Sequence, residues 1–221
     1  MSTLLKLGGS VVTDKSTERT LDEASLESIA SDLAQGGDDR LVLIHGGGSF
    51  GHPAAERHGV STTVATREAR AIAEVHHAML ELNAAVVDRL AVAGLDPVGV
   101  HPLSMARRAG DRLEVDVDTL TALLDEGFTP VLHGDGVVDV GRGVSVLSGD
   151  DLLVALADAL SFDRIGLCAN VPGVLDEDGD VIERIEHYQA VAGVTGDASE
   201  TDVTGGMDHK VRTLLERGIS A

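Results

Sequence analysis

An α/β fold, a three-layer αβα sandwich around a mainly parallel central sheet, is what this sequence predicts. Two observations carry that prediction. Short apolar runs rich in branched side chains alternate with segments of helical periodicity, the pattern of βαβ units. Four of those runs end in polar, glycine-rich turns, at 8–10, 46–52, 134–136 and 170–173. In a parallel sheet such turns converge on one edge, beyond the carboxyl ends of the strands, where ligands bind. A length of 221 residues with 43% hydrophobic content fits one domain, or two lobes sharing one core.

Leu4–Leu7 reads as the first strand, followed by Gly8-Gly9-Ser10 and then Val11–Lys15, with Lys6 near the strand end and Lys15 on the turn beyond. Residues 21–34 read as a helix with Leu21, Ile29 and Leu33 on one face, Leu26 near its edge, and Gly36-Gly37 as the stop. Leu41–Ile44 is the second strand. It empties into His45-Gly46-Gly47-Gly48-Ser49-Phe50-Gly51-His52, four glycines in six residues between two histidines. Glycine permits positive φ and close approach of a ligand to the main chain, and exposed N–H groups beside a helix start attract anions. A phosphate is expected there; a mobile surface loop is the plain alternative.

Val60–Arg67 reads as a mobile, polar and β-branched connection. Arg67–Ala93 is a long helical pattern with Thr66 as N-cap and Gly94 as C-terminal stop. Its stripe of Ile72, Val75, Met79, Leu82, Val86 and Leu90 belongs to the core, and the N-terminal part can also line a pocket. His76 and His77 are assigned to its polar face. Pro97–Val100 is a short strand, 111–117 an exposed hairpin strand, and Asp118–Asp125 a helix closed by Gly127. Thr129–Leu132 is buried strand; Val137–Val140 and Val144–Leu147 flank the hairpin turn Gly141-Arg142-Gly143. Ser148 or Asp150 caps the apolar helix Leu152–Leu160. Arg164–Ala169 is strand, Asp176–Asp180 an acidic turn, Val181–Ile185 a short strand and Met207–Arg217 a last helix. No internal repeat or low-complexity segment interrupts this order.

Composition narrows the partners. The formal charge is −20, from 37 acidic and 17 basic residues spread along the chain. That argues against nucleic acid and against an anionic membrane surface, both of which need a basic footprint. It fits a protein adapted to high salt, where screening relieves self-repulsion. No apolar run reaches membrane-spanning length, and the N-terminus lacks a signal-peptide layout. The single cysteine, Cys168, suits a reducing cytosol and a core position, so the expected location is cytoplasmic. Only three of the 17 basic residues are lysines: Lys6, Lys15 and Lys210. Each stands beside a glycine-rich or Ser/Thr-rich turn, and lysine is a compact point charge suited to moving phosphates.

Two chemistries lack their motifs: there is no zinc-spaced Cys/His cluster and no Walker A sequence. No dedicated metal site is expected. Phosphoryl transfer remains, a reaction that needs positioning and positive charge more than covalent help.

At this point a resemblance becomes visible. Lys6-Leu-Gly-Gly-Ser10, the 46–52 loop, Ser148-Gly-Asp150, Asn170-Val-Pro-Gly173 and Thr204-Gly-Gly-Met-Asp-His-Lys210 resemble the motifs of the amino acid kinase superfamily, in order and across nearly the whole chain. The His45–His52 version of the loop looks like that of the isopentenyl phosphate kinases. The resemblance implies transfer of the ATP γ-phosphoryl to isopentenyl phosphate, giving isopentenyl diphosphate in an archaeal-type mevalonate route. It implies a homodimer, with Mg²⁺ entering alongside ATP, held by phosphate oxygens and water. An acceptor lobe over roughly 1–145 and an ATP lobe over 146–221 are expected.

Residue roles follow motif by motif. Lys6, Leu7 and the turn Gly8-Gly9-Ser10 would hold ATP phosphates. Lys15 would stabilise the transferring group. Gly47 and Gly48 would bracket acceptor and donor phosphates through backbone N–H groups, and His52 would bind the acceptor phosphate. Gly149 would contact substrate, and Asp150 would orient Lys6 and Lys210. Asn170, standing where Asp is common, Gly206 and Lys210 would meet ATP. The sequence ends at Ala221, short of the further strand that family members carry, so a C-terminal truncation is expected. Two rival readings share much of this pattern: a fosfomycin-type phosphonate kinase, and a catalytically weak nucleotide-binding regulatory module.

Overall fold

A computed structural model describes residues 1–110, 112–171, 173–174, 180–182 and 185. Two compact units divide the chain, Met1–Cys168 and Ala169–Ala221, and the elements below all lie in the first. In chain order they are β1 (Ser2–Leu7), α1 (Gly9–Val12), α2 (Glu23–Gly36), β2 (Arg40–His45), α3 (Gly48–Arg57), α4 (Ala69–Val92), β3 (Pro97–Gly99), a 3₁₀ turn (Pro102–Ser104), β4 (Ala106–Ala109), β5 (Arg112–Val115), α5 (Asp118–Asp125), β6 (Thr129–His133), β7 (Asp135–Asp139), β8 (Gly143–Leu147), α6 (Gly149–Ala159) and β9 (Arg164–Cys168).

The central sheet has the order β3-β6-β2-β1-β9, and every pairing in it is parallel. Helices cover both faces, which is why its strands read as unbroken apolar runs rather than alternating ones. Side-chain alternation then sorts each strand. Leu7, Leu41, Leu43 and Val131 join a cluster with Leu26 of α2, Phe50 of α3 and Val75, Met79, Leu82 and Leu90 of α4. Leu4, Val42, Ile44 and Leu132, also buried, point the other way, toward the side of α5 and α6. The predicted three layers are therefore present.

The structure also differs from the expectation in identifiable places. A second sheet of four strands, β5-β4-β7-β8, extends the fold, mixing parallel β4/β7 with antiparallel β4/β5 and β7/β8 pairs. In α2 the fully buried residue is Leu26, followed by Ala30, while Ile29 and Leu33 are only partly buried. The helix starts at Asp22, whose carboxylate accepts from Ser25 N–H at 3.1 Å, so Leu21 precedes it. Glu68, not Thr66, holds the N-cap position of α4. Thr66 instead pairs with Val144, and Val146 N–H donates to Ser61 O at 2.9 Å, so the 60–67 connection is tied to β8. The expected helix 207–217 and all but three residues of the expected strand 181–185 lie outside the described residues.

Candidate active site

Register sets the site. Leu7 of β1 pairs with Cys168 of β9 and with His45 of β2, and His45 pairs with His133 of β6. The four strands therefore end level, and the first glycine of each following turn is stitched to a neighbour's last carbonyl. Gly8 N–H donates to Cys168 O at 2.9 Å, Gly46 N–H to Leu7 O at 3.0 Å, and Gly134 N–H to His45 O at 3.0 Å. Three of the turns expected to converge do so at this edge; the fourth begins the second unit.

Two of these turns touch main chain to main chain. A Cβ on Gly46 would lie 2.6 Å from Gly9 N, and one on Gly9 would collide with Gly48 N. Gly48 has φ +47, a conformation that other residues rarely adopt. The glycines thus serve backbone packing as well as any ligand. The loop 46–52 is not a loop throughout: α3 begins at Gly48, placing His52 on its second turn, half-buried. Neither Gly47 N–H nor Gly48 N–H donates to a described residue, which leaves both at a helix start, where anions bind. Leu7 is buried in the core and can offer a ligand only its main chain, while Ser10 lies in α1.

Alternation on β1 points Lys6 the same way as Leu4, toward α6. There Lys6 Nζ donates to Asp150 Oδ1 at 2.7 Å, with both residues about 95% buried. Gly149 makes room, since a Cβ there would meet Lys6 Cε at 3.3 Å. Ser148 is the N-cap of α6, accepting from Asp151 N–H at 3.0 Å. Asp150 is thereby released from capping, and its Oδ2 is buried with no partner among the described residues. A buried carboxylate oxygen without a donor is costly, and Asp150 Oδ2 can accept from a second cation or donor. Lys210, expected in that role, and Gly206 lie outside the described residues, and Asn170 is an exposed residue just after β9. Lys15 is exposed on the 14–20 loop, whose ends are joined by a bridge between Thr13 and Leu21.

One group of residues escaped the sequence reading. His45 and His133, the last residues of their strands, alternate onto the α4 side, where both are buried. His45 Nδ1–H donates to Gly46 O at 3.1 Å, and its Nε2 faces the Asn83 side-chain amide at 3.0 Å. His133 Nδ1–H donates to Gly134 O at 2.8 Å, and its Nε2 accepts from His101 at 3.0 Å. His76, placed on the polar face by periodicity, instead turns inward and contacts Asp135 Oδ2 at 2.9 Å. Asp135, read as a turn residue, is almost fully buried, and Gly136 N–H donates to it at 2.7 Å. Strand parity from Leu43 and Val131 was the signal that could have found His45 and His133.

Burial shifts the ionisation of His45, His101, His133 and Asp135. Desolvation, aided by nearby His45, pushes the His133 pKa down to about 3, and desolvation also lowers His45 and His101. Burial raises Asp135, opposed by its bond from His76. A histidine whose folded pKa lies below its unfolded value stabilises the fold fully above the unfolded pKa of about 6.5. That contribution is lost as pH falls toward the folded value. Each buried histidine should therefore give a slope of up to about 1.4 kcal/mol per pH unit below pH 6.5. Asp135 acts in the opposite sense, gaining a proton in the fold before it would in the unfolded chain. Urea unfolding at pH 7.5, 6.5 and 5.5 checks this: His133→Asn should flatten the dependence, and an unchanged slope would count against it.

Beside His76, Ile72 and Val75 of α4 join Val60, Thr66, Gly136 and Val144 around a small, largely apolar cavity of about 10 Å³, room for roughly one water. Met79, expected in the same wall, packs elsewhere: a Cβ on Gly51 would lie 2.5 Å from its sulfur, and one on Gly47 3.4 Å away. It supports the glycine turn from beneath.

Comparison with known proteins agrees with this fold. The profile of the amino acid kinase family matches residues 1–219. The isopentenyl phosphate kinase of Haloferax volcanii is 50% identical over 220 residues, covering 99% of this chain and 89% of that protein. A crystal structure of isopentenyl phosphate kinase superposes with a TM-score of 0.83 at 29% identity, covering 99% of this chain and 89% of the other. The Thermoplasma acidophilum isopentenyl phosphate kinase product complex gives 0.71 at 32% identity, with 80% and 74% covered.

Proposed function

This chain belongs to the amino acid kinase family, and on that premise we propose that it transfers the γ-phosphoryl group of ATP to isopentenyl phosphate, giving isopentenyl diphosphate. The observation that carries this reading is 50% identity, along nearly the full chain, to an isopentenyl phosphate kinase. The phosphonate-kinase and regulatory readings are not favoured by such a relative.

The roles below are proposals. Gly47 and Gly48 present main-chain N–H groups to the acceptor and donor phosphates, Gly8, Gly9 and Ser10 take the rest of the ATP phosphates, and Asn170 and Gly206 meet the nucleotide. Lys6 neutralises charge that develops on the donor, and Asp150 holds both Lys6 and Lys210. Lys15 follows the moving phosphoryl group, whose charge is spread over its equatorial oxygens in the transition state. His52 anchors the acceptor phosphate, and Gly149 contacts the substrate. Mg²⁺ would enter with ATP, held through phosphate oxygens and water, and would neutralise phosphate charge. Residues 1–145 form the acceptor lobe and 146–221 the ATP lobe. The enzyme acts as a cytoplasmic homodimer in an archaeal-type mevalonate route.

The test is ATP turnover with isopentenyl phosphate, fosfomycin or no acceptor. Transfer to isopentenyl phosphate is expected. Preference for the phosphonate, or nucleotide binding without transfer, would overturn the proposal. The hydrocarbon should rest against Ile72 and Val75, so Val75→Ala should shift preference toward longer alkyl phosphates. Met79→Ala should instead weaken phosphate binding by loosening the glycine turn. A panel of prenyl phosphates showing the same preference for wild type and Val75→Ala would reject that wall. The charge of −20 predicts rising stability from dilute buffer to molar salt, as screening removes repulsion. Melting temperatures that do not change with salt would contradict adaptation to salt.

A further inference from the structure

Gly47, the residue before α3, has no side chain with which to cap that helix. The cap is supplied from 34 residues upstream of it by another loop. Ser49 N–H donates to Thr13 Oγ1 at 3.0 Å, and the same hydroxyl donates to Gly9 O at 2.7 Å. One hydroxyl therefore ties the turn after β1 to the turn after β2, using both its donor and an acceptor lone pair. Its position also explains Gly48, because a Cβ there would overlap Thr13 Oγ1. Thr13 and Ser49 are both buried.

The same two residues hold the loop that carries Lys15. Thr13 and Leu21 form the bridge at its base. Ser49 grips the returning limb: its Oγ donates to Thr20 O at 3.0 Å, Thr20 N–H approaches that Oγ at 3.3 Å, and Arg19 N–H donates to Ser49 O at 2.9 Å. Arg19 takes φ +55 there, the one positive φ outside glycine among the described residues. Such a conformation persists only where its surroundings hold it. The outgoing limb, with Lys15, is joined to the pinned one by Asp14 N–H donating to Thr20 O at 3.0 Å.

We propose that Thr13 and Ser49 are positioning residues for Lys15: they lock the 14–20 loop onto the two phosphate-binding turns, so that an exposed lysine keeps a fixed relation to the phosphoryl group in transfer. This rests on the kinase reading above. A lysine has a long flexible stem, and its value to a transition state depends on how well its base is held.

Three measurements test it. Ser49→Ala and Thr13→Val should each lower kcat about 10-fold while KM for ATP and acceptor stays within about twofold, and Thr13→Ser should restore kcat. In a Lys15→Met background, Ser49→Ala should lower kcat no further, since its effect runs through that lysine. A lysine-specific protease should cut after Lys15 faster in both weakened variants than in wild type. The proposal is overturned by unchanged cleavage, by a Thr13→Ser variant as slow as Thr13→Val, or by a full further loss in the Lys15→Met background. Cleavage is read without any substrate. A wrong acceptor assignment would abolish wild-type turnover yet leave the cleavage result standing, so the two failures are distinguishable.

Discussion

Lys6→Met lowers turnover by at least about 10²-fold, the scale of losing one preorganised electrostatic stabiliser. Methionine keeps most of the stem that passes Gly149 but removes the ammonium 2.7 Å from Asp150. Two effects are then superposed. The donor phosphates lose a cation, and Asp150 becomes a buried carboxylate with neither oxygen paired among the described residues. Removing one partner from a buried ion pair costs on the order of 3–5 kcal/mol, so the variant should also unfold at lower urea. A second substitution separates the two. Adding Asp150→Asn to Lys6→Met removes the uncompensated charge and should recover much of the stability while leaving turnover low. Lys210→Met should resemble Lys6→Met in rate. Steady-state kinetics and urea titration of the three variants check this together, and wild-type turnover in Lys6→Met would remove Lys6 from the site.

How much of this was legible in the sequence depended on what each residue answers to. The central strands were readable because they are covered on both faces, so Leu41–Ile44 and Thr129–Leu132 had to be apolar throughout. Lys6 and Asp150 were readable as motif residues, although their contact spans 144 positions. The start of α3 was hidden because Gly47, Gly48, Gly51 and Pro53 all count as helix breakers. Tertiary structure overrides them: Thr13 caps the first turn, while Phe50 and Ala54 bury against α4. β4 was missed for a similar reason. Ala106-Arg107-Arg108-Ala109 has no strand propensity of its own and is ordered by β5 and β7 on either side. His76 left no trace, since its inward turn depends on Asp135, 59 residues away.

His52→Ala should lower kcat/KM for the acceptor by about 10²-fold or more, with ATP affinity barely changed. The reasoning starts from what the reaction lacks. The nucleophile is a phosphate oxygen already ionised near neutral pH, so no strong base is needed to generate it. The difficulty is bringing two anionic phosphates together, and that calls for donors. Imidazole can donate from a ring nitrogen in either charge state, and its protonated form adds a cation. The position on the second turn of α3 suits this task, since His52 follows Gly47 and Gly48, whose N–H groups at the helix start donate to none of the described residues. An anion there gains from the helix dipole as well as from direct bonds. A glutamine at this position can supply the same kind of donor but cannot act as a base at neutral pH. His52→Gln should therefore recover part of the acceptor affinity and part of the rate lost in His52→Ala. Acceptor affinity, ATP affinity and turnover measured side by side on the two variants decide the matter. If Gln is as inactive as Ala while acceptor affinity stays at the wild-type value, His52 moves a proton, and its role as an anchor for the acceptor phosphate is wrong.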